Sequence, residues 1–149
     1  MTLRQRLKAE ITTAMRSGEA LRRDTLRMAE NAIYNAEKHD RRTYDDAETA
    51  AVIAREVKTR RESVEAFRAG GREDLAAKEE AEIEILAAFL PAQLGEAELA
   101  ALIDEAIAAT GATSPRDMGK VMGFLAPKTR GRADGRRLSE AVTRRLANA

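Results

Sequence analysis

The chain has no cysteine and no tryptophan, and it contains a single histidine, His39. Without cysteine, disulfide bonds and thiolate metal sites are excluded. One histidine cannot form a histidine pair around a metal, and no serine of the chain lies in a GxSxG elbow that would present it as the nucleophile of a Ser-His-Asp triad. P-loop and dinucleotide-binding glycine motifs are missing as well. The sequence therefore predicts no catalytic residue, no metal site and no cofactor.

Long apolar runs are also missing. A signal peptide needs an apolar stretch of about 7–15 residues, and a membrane-spanning helix needs about 20. The N-terminal residues MTLRQRLK are instead amphipathic, and no window of the sequence reaches the spanning length. The lack of cysteine fits a reducing compartment. These features predict a cytoplasmic protein without a membrane partner.

What the chain does contain favours helices. Aromatic residues make up 3% of it and hydrophobic residues 44%, many of them alanine, while charged residues reach 34%. Alanine, glutamate, arginine and leucine are all strong helix formers. Because alanine buries little area per residue, the core has to come from close contacts between helices. The composition predicts an all-α fold.

Caps and apolar stripes divide the chain into seven predicted helices. The first four cover about residues 3–17, 20–39, 46–69 and 73–89, and the last three cover 96–110, 115–126 and 135 onward. Pro91 is predicted to end the fourth helix and Pro127 the sixth, because proline disfavours helix at the residue before it. We expect an N-terminal hairpin or bundle of about four helices at 1–91. A small three-helix C-terminal tail domain is expected at 95–149.

The first four helices contain both apolar stripes and clusters of charged residues. The predicted buried stripes of the first two helices include Met15, Leu21 and Met28. The pair Arg60-Arg61 and the acids around Glu82 are interpreted as solvated helix surfaces with local ion pairs.

Charge is distributed unevenly along the chain. Residues 112–149 hold nine Lys or Arg against three Asp or Glu, a net charge of +6. Residues 1–111 hold 17 bases and 22 acids, a net charge of −5. A basic end on an acidic body indicates a polyanionic partner for that end.

The basic end contains two glycine-punctuated motifs. In MGKVMG (118–123), Gly119 and Gly123 lie four residues apart on one helical face. Because each glycine costs a helix roughly 1 kcal/mol against alanine, either a second helix or a ligand is expected to approach closely there. In PKTRGRADG (127–135), residues 128–133 are predicted to form an exposed connection. Arginine forks and helix-start amides suit phosphate oxygens, so this connection is a candidate contact surface.

These two motifs resemble the YqeY (GatB/YqeY-like) family, as do LPAQL (90–94) and LRMAENAIYNAE (26–37). The resemblance covers essentially the whole chain in the same order. The family is similar to the tail region of the B subunit of the tRNA-dependent amidotransferase. The resemblance implies a two-part helical fold and a tail that contacts tRNA. The implied nucleic-acid-binding residues are Lys120, Lys128, Arg130, Arg132, Arg136 and Arg137. The implied structural or close-approach residues are Gly119, Gly123, Gly131, Asp134 and Gly135.

The expected function is therefore an accessory, non-catalytic tRNA-binding protein linked to tRNA-dependent amidation or aminoacylation. An aminoacyl-tRNA synthetase or an amidotransferase is the expected protein partner. Two alternatives stay open from the sequence. One is a protein-interaction adaptor whose basic tail meets an acidic partner. The other is a component of a carbon–nitrogen ligase that uses glutamine as amido-N donor, an activity that the resemblance implies for the larger enzyme.

Overall fold

The computed structural model describes residues 1–148, which are α-helical throughout apart from turns and short connections. The helices are α1 (Leu3–Ser17), α2 (Ala20–Asp40), α3 (Asp46–Ala69), α4 (Glu73–Ala87), α5 (Glu96–Thr110), α6 (Met118–Thr129) and α7 (Gly135–Ala147). A short 3-10 turn, Pro115–Asp117, leads into α6. The all-α prediction is confirmed. None of these helices is long and apolar enough to cross a bilayer.

The chain forms two compact units, Met1–Pro91 and Ala92–Ala149. The first unit contains α1–α4 and the second contains α5–α7. That the two units are independent domains with a boundary at Pro91–Gly95 stays a prediction.

Local capping chemistry sets the helix starts and ends in the first unit. The Thr2 side chain accepts a hydrogen bond from the backbone N–H of Gln5, and the Gln5 side chain accepts one from the N–H of Thr2. Asp45 and Glu48 form the same reciprocal capping box at α3. Gly18 ends α1 with φ +75°, a conformation that costs glycine no strain. Capping boxes satisfy N–H groups that a helix end leaves unpaired, so these boundaries are readable from sequence.

The core of the first unit is narrower than the predicted stripes. Its fully buried members come from α1, α2, α3 and α4: Leu7, Leu26, Ala29, Ile33, Ile53 and Leu86. Met15, Leu21 and Met28 were predicted to be buried and are 51%, 39% and 52% exposed. At about 100° per residue, each lies roughly a quarter turn or more from the centre of its helix's buried face. The three predictions were wrong because the apolar stripe was taken too wide.

A buried ion pair occupies the middle of the α3 stripe. The Arg60 and Glu82 side chains are 6% and 11% exposed, and Nε of Arg60 lies 3.2 Å from Oε2 of Glu82. Nη1 of Arg60 also donates to Oε2 of Glu56 at 2.9 Å, and Nη2 approaches Sδ of Met28 at 3.8 Å. The interpretation of Arg60 and Glu82 as solvated surface was wrong. Position 60 falls between Val57 and Val64 on the same helical face, so its side chain points inward.

The second unit packs three helices around a core of aliphatic side chains. Its fully or nearly fully buried members include Leu94, Leu99, Ile103, Ala106, Val121, Leu125, Leu138, Val142 and Leu146. Leu94 precedes α5 in the chain and is 2% exposed. A residue outside any helix therefore completes the core of this unit.

Pro127 lies inside α6, which continues to Thr129. The prediction that Pro127 ends the sixth helix was wrong. Proline removes the hydrogen bond to the carbonyl four residues earlier, here that of Gly123. Gly123 is exposed, so water can replace the missing donor, and α6 needs to extend only two residues further. Thr129 then donates its hydroxyl to the carbonyl of Leu125 at 2.9 Å and is buried.

Candidate nucleic-acid interface

The connection between α6 and α7 is held by the segment 92–94, which we call the strap. The backbone N–H of Leu94 donates to the carbonyl of Arg132 at 2.8 Å, and Nε of Arg132 donates to the carbonyl of Ala92 at 3.1 Å. Nε2 of Gln93 donates to the carbonyl of Gly131 at 3.0 Å. Nη1 of Arg137 donates to the carbonyl of Leu94 at 2.7 Å. Four hydrogen bonds thus fix the shape of this connection.

Residues 128–133 are therefore not the fully exposed connection that the sequence predicted. Lys128 and Thr129 belong to α6, and Thr129 is 3% exposed. Residues 131–134 are half-buried, and Arg130 is the exposed residue of the turn. Gly131 adopts φ +74°, which a glycine reaches without strain. The turn is a fixed structural element with one arginine projecting from it.

Two groups at the start of α7 that could bind an anion, a backbone N–H and the guanidinium of Arg137, are already paired within the protein. Oδ1 of Asp134 accepts a hydrogen bond from the backbone N–H of Arg137 at 2.9 Å, so a carboxylate of the chain itself caps the helix. The Arg137 guanidinium is bound to the strap. Gly135 and Arg136 are exposed. Of the helix-start groups, Arg136 is the one whose charge projects into solvent.

Two glycines lie on the outer face of α6. Beyond its own turn of helix, a Cβ atom added at Gly119 or Gly123 would meet no atom within 4 Å, and both residues are exposed. Neither glycine therefore makes room for another helix of the second unit, and the expected close approach of a ligand stays a prediction. Lys120 lies on the same side of α6, with a side chain that is 69% exposed. The backbone of α6 is accessible beside a lysine.

The glycines of α6 give a stability prediction. We expect Gly119→Ala to stabilise the second unit by about 1 kcal/mol, because alanine restricts the unfolded chain and meets no neighbour in the folded one. Urea unfolding measures the change. Gly111→Ala is the matched control: Gly111 has φ +69°, so alanine is expected to destabilise there. Equal signs for the two variants would contradict the prediction.

A network of backbone hydrogen bonds sets the start of α6. Oδ2 of Asp117 accepts from the backbone N–H groups of Thr113 and Ser114 at 2.9 and 3.3 Å. These hydrogen bonds lower the pKa of Asp117, the Thr113 bond most of all, because they stabilise the ionised carboxylate. Nζ of Lys120 lies 4.0 Å from this carboxylate. Asp117 therefore orders the turn and sits close to the base of the glycine-bearing face.

The charge contrast seen in the sequence is largely neutralised in the fold. The four acids of residues 92–111 lie on α5, inside the same unit as the basic tail. Three of the tail's cations pair with them: Lys128 with Glu105 at 3.2 Å, Arg132 with Glu98 at 3.4 Å and Arg145 with Asp104 at 2.9 Å. Residues 92–149 hold nine bases and seven acids, a net charge of +2. The positive charge available to a polyanion on this unit is therefore smaller than the net charge of +6 for residues 112–149 indicates.

The predicted binding residues thus separate into two groups. Arg132 and Arg137 hold the strap. Lys120, Lys128, Arg130 and Arg136 are exposed, although Lys128 pairs with Glu105 and Arg136 with Glu140 at 3.2 Å. Arg130 makes no ion pair or hydrogen bond through its side chain within residues 1–148.

Two further exposed cations of the basic end are not among the predicted binding residues. Arg116 and Arg144 are exposed, and their side chains have no ion-pair partner among the described residues. For Arg116 a signal exists, because no acid stands three or four residues away on either side. For Arg144 no such signal exists: Glu140 stands four residues before it but pairs with Arg136.

The comparisons with known proteins agree with the family resemblance. The family model described as Yqey-like protein matches residues 4–146. A protein of Pyrenophora tritici-repentis named "Altered inheritance of mitochondria protein 41, mitochondrial" is 32% identical over 131 residues, which cover 86% of this chain and 71% of that protein. An uncharacterized protein of Schizosaccharomyces pombe is 31% identical over 85 residues, which cover 57% of this chain and 69% of that protein. The chain belongs to the YqeY family of Yqey-like proteins.

Proposed function

We propose that the protein is an accessory tRNA-binding protein that contacts the phosphate backbone through the outer surfaces of α6 and α7. The observation that carries this proposal is the set of exposed cations on the second unit. Lys120, Lys128, Arg130 and Arg136 project from two helices and from a turn whose shape the strap fixes. Phosphate oxygens are the natural partners of such side chains.

The second unit offers phosphate contacts rather than base stacking. Phe124 is the one aromatic residue in 92–149, and Nζ of Lys128 lies 4.9 Å from the centroid of its ring. Proteins that bind single strands without sequence preference instead stack bases on several open aromatic rings. A folded RNA recognised by its shape and its backbone, such as tRNA, fits this surface. In this role Arg137 positions the turn through the strap and does not itself bind RNA. Arg132 positions the turn through its Nε and keeps Nη2 at the surface.

The test is a filter-binding titration of tRNA against salt. With three or four phosphates neutralised, the slope of log K against log salt is expected to be about −2 to −4. The variant Lys120→Ala/Lys128→Ala/Arg130→Ala is expected to lose roughly tenfold to a hundredfold in affinity at low salt, with a shallower slope. The control Arg55→Ala/Lys58→Ala/Arg61→Ala removes the same charge from exposed positions on α3 and should retain binding. A flat slope, or equal losses in the two variants, would overturn the proposal.

A protein partner is the second candidate, and exposed apolar side chains in the first unit favour it. Met15, Leu21, Met28 and Tyr34 are between 39% and 57% exposed. Such residues suit contact with another protein, which for this family would be an aminoacyl-tRNA synthetase or an amidotransferase. Co-purification before and after RNase treatment separates the two candidates: an adaptor retains its partner after RNase and yields no tRNA. A carbon–nitrogen ligase activity would need catalytic groups from that partner.

A further inference from the structure

Two carboxylates on one flank of α5 cover two of the cations beside the exposed turn. Glu98 and Glu105 are seven residues apart, which is about two helical turns, so they project from the same side of α5. Glu105 pairs with Lys128 at the end of α6, and Glu98 pairs with Arg132 in the turn. Arg130 lies between these two cations in sequence and has no such partner. The flank therefore places two anions where a polyanion bound at the turn would place its phosphates.

A third carboxylate on α5 serves a different part of the unit. Asp104 points away from the flank of Glu98 and Glu105, because neighbouring residues of a helix are rotated by about 100°. Its Oδ1 lies 2.9 Å from Nε of Arg145, on α7. Asp104 is thus a matched reference for Glu98 and Glu105, because it lies on the same helix and forms the same kind of ion pair on another face.

The pairs at the turn are open to exchange. The Lys128 and Glu105 side chains are 41% and 54% exposed, and those of Arg132 and Glu98 are 36% and 66% exposed. Ion pairs with this exposure are held weakly, so a competing anion can displace either carboxylate. Displacement at Arg132 does not require the strap to open, because Nε binds Ala92 whereas Nη2 faces Glu98.

We propose that Glu98 and Glu105 are built-in competitors of the polyanion for Lys128 and Arg132. They occupy these cations in the free protein, and a bound phosphate backbone takes their place. Since each carboxylate is attached to the same unit, its local concentration near its cation is high. A lone phosphate group therefore competes poorly, whereas a backbone with closely spaced phosphates replaces both carboxylates together. The competition lowers affinity and keeps binding reversible. This inference rests on the proposed function, since it concerns the same surface.

The experiment compares tRNA binding of the wild-type chain with that of Glu98→Gln/Glu105→Gln. Glutamine keeps the size of each side chain and removes its charge. Affinity is expected to rise about two- to fivefold for each carboxylate removed, and the salt slope to steepen by up to about 0.9 for each freed cation. The control Glu96→Gln/Asp104→Asn changes net charge by the same amount away from the flank. It is expected to change affinity by about twofold or less, because Lys128 and Arg132 pair with Glu105 and Glu98 and not with these two acids, and salt screens charges that are not in contact.

A double-mutant cycle tests the direct competition. The gain from Glu105→Gln is expected to disappear in a Lys128→Gln background, since no cation is then left to free. A gain of the same size in both backgrounds would overturn the inference. So would equal gains in the flank variant and in the Glu96→Gln/Asp104→Asn control.

A second polyanion separates failure of the inference from failure of the proposed function. The salt concentration that elutes each variant from immobilised heparin is measured in parallel. If no variant binds tRNA but the flank variant alone elutes from heparin at higher salt, the proposed function falls and the competition stands. If the wild-type chain binds tRNA with the expected slope and the flank variant does not differ from it, the competition falls and the proposed function stands.

Discussion

Replacing Arg60 with methionine is expected to destabilise the first unit by about 3–5 kcal/mol, the largest loss that we predict for a single substitution. Methionine retains most of the arginine's volume and removes its charge. The Glu82 side chain, 11% exposed, would then be left without its cationic partner at 3.2 Å. An uncompensated carboxylate in a site with little access to water carries the full penalty of desolvation.

The control for this prediction is Arg60→Met/Glu82→Met, which removes both charges. Buried ion pairs often contribute little net stability against apolar residues of similar volume, so the double variant is expected to recover most of the loss. Urea unfolding of the wild-type chain, Arg60→Met, Glu82→Met and the double variant gives four free energies, which together define the coupling between the partners. A loss below about 1 kcal/mol for Arg60→Met would contradict the buried pairing.

The sequence predicted helix starts and ends well where residues close in the chain determine them. The capping boxes at Thr2 and Asp45 each need a partner three residues away, and Gly18 ends α1 through its own backbone conformation. α5 was predicted at 96–110 and begins and ends there. These signals lie within one helical turn, so one sequence is enough to read them.

The sequence predicted poorly the ion pairs that form between residues far apart in the chain. Arg60 and Glu82 are 22 residues apart, and Lys128 and Glu105 are 23 apart. Nothing within four residues of Arg60 identifies Glu82 as its partner. The same limit affected the charge argument, since the acids of α5 were counted with the acidic body although they fold against the basic tail. Net charge along a sequence is a property of the chain, whereas the charge that a ligand meets depends on tertiary pairing.

The candidate site shows the same division. The exposed positions of Lys120, Arg130 and Arg136 follow from their places on amphipathic helices and in a turn. The role of Arg132 and Arg137 does not, because it depends on backbone carbonyls about 40 residues earlier in the chain, at Ala92 and Leu94. Arginine residues in a basic motif bind phosphate or protein with the same donors, and only the fold determines which.

The strap gives the second large prediction. Leu94→Ala is expected to destabilise the second unit by about 2–5 kcal/mol, because the side chain is 2% exposed and its removal leaves a cavity beside the core of α5–α7. Both backbone groups of Leu94 also hold the turn: its N–H binds the carbonyl of Arg132, and its carbonyl binds Arg137. Loosening this residue therefore loosens the turn that carries Arg130.

Hydrogen exchange resolved by residue measures this effect within each unit. Amide protection in α5–α7 is expected to fall in Leu94→Ala, and tRNA affinity is expected to fall with it although no charge has been removed. Leu86→Ala is the matched control, since Leu86 is fully buried in the first unit and the same atoms are lost. It is expected to lower protection in α1–α4 and to leave tRNA binding in place. If both variants bind tRNA like the wild-type chain, the strap does not control the turn; if both lose binding equally, the phosphate contacts are not confined to the second unit.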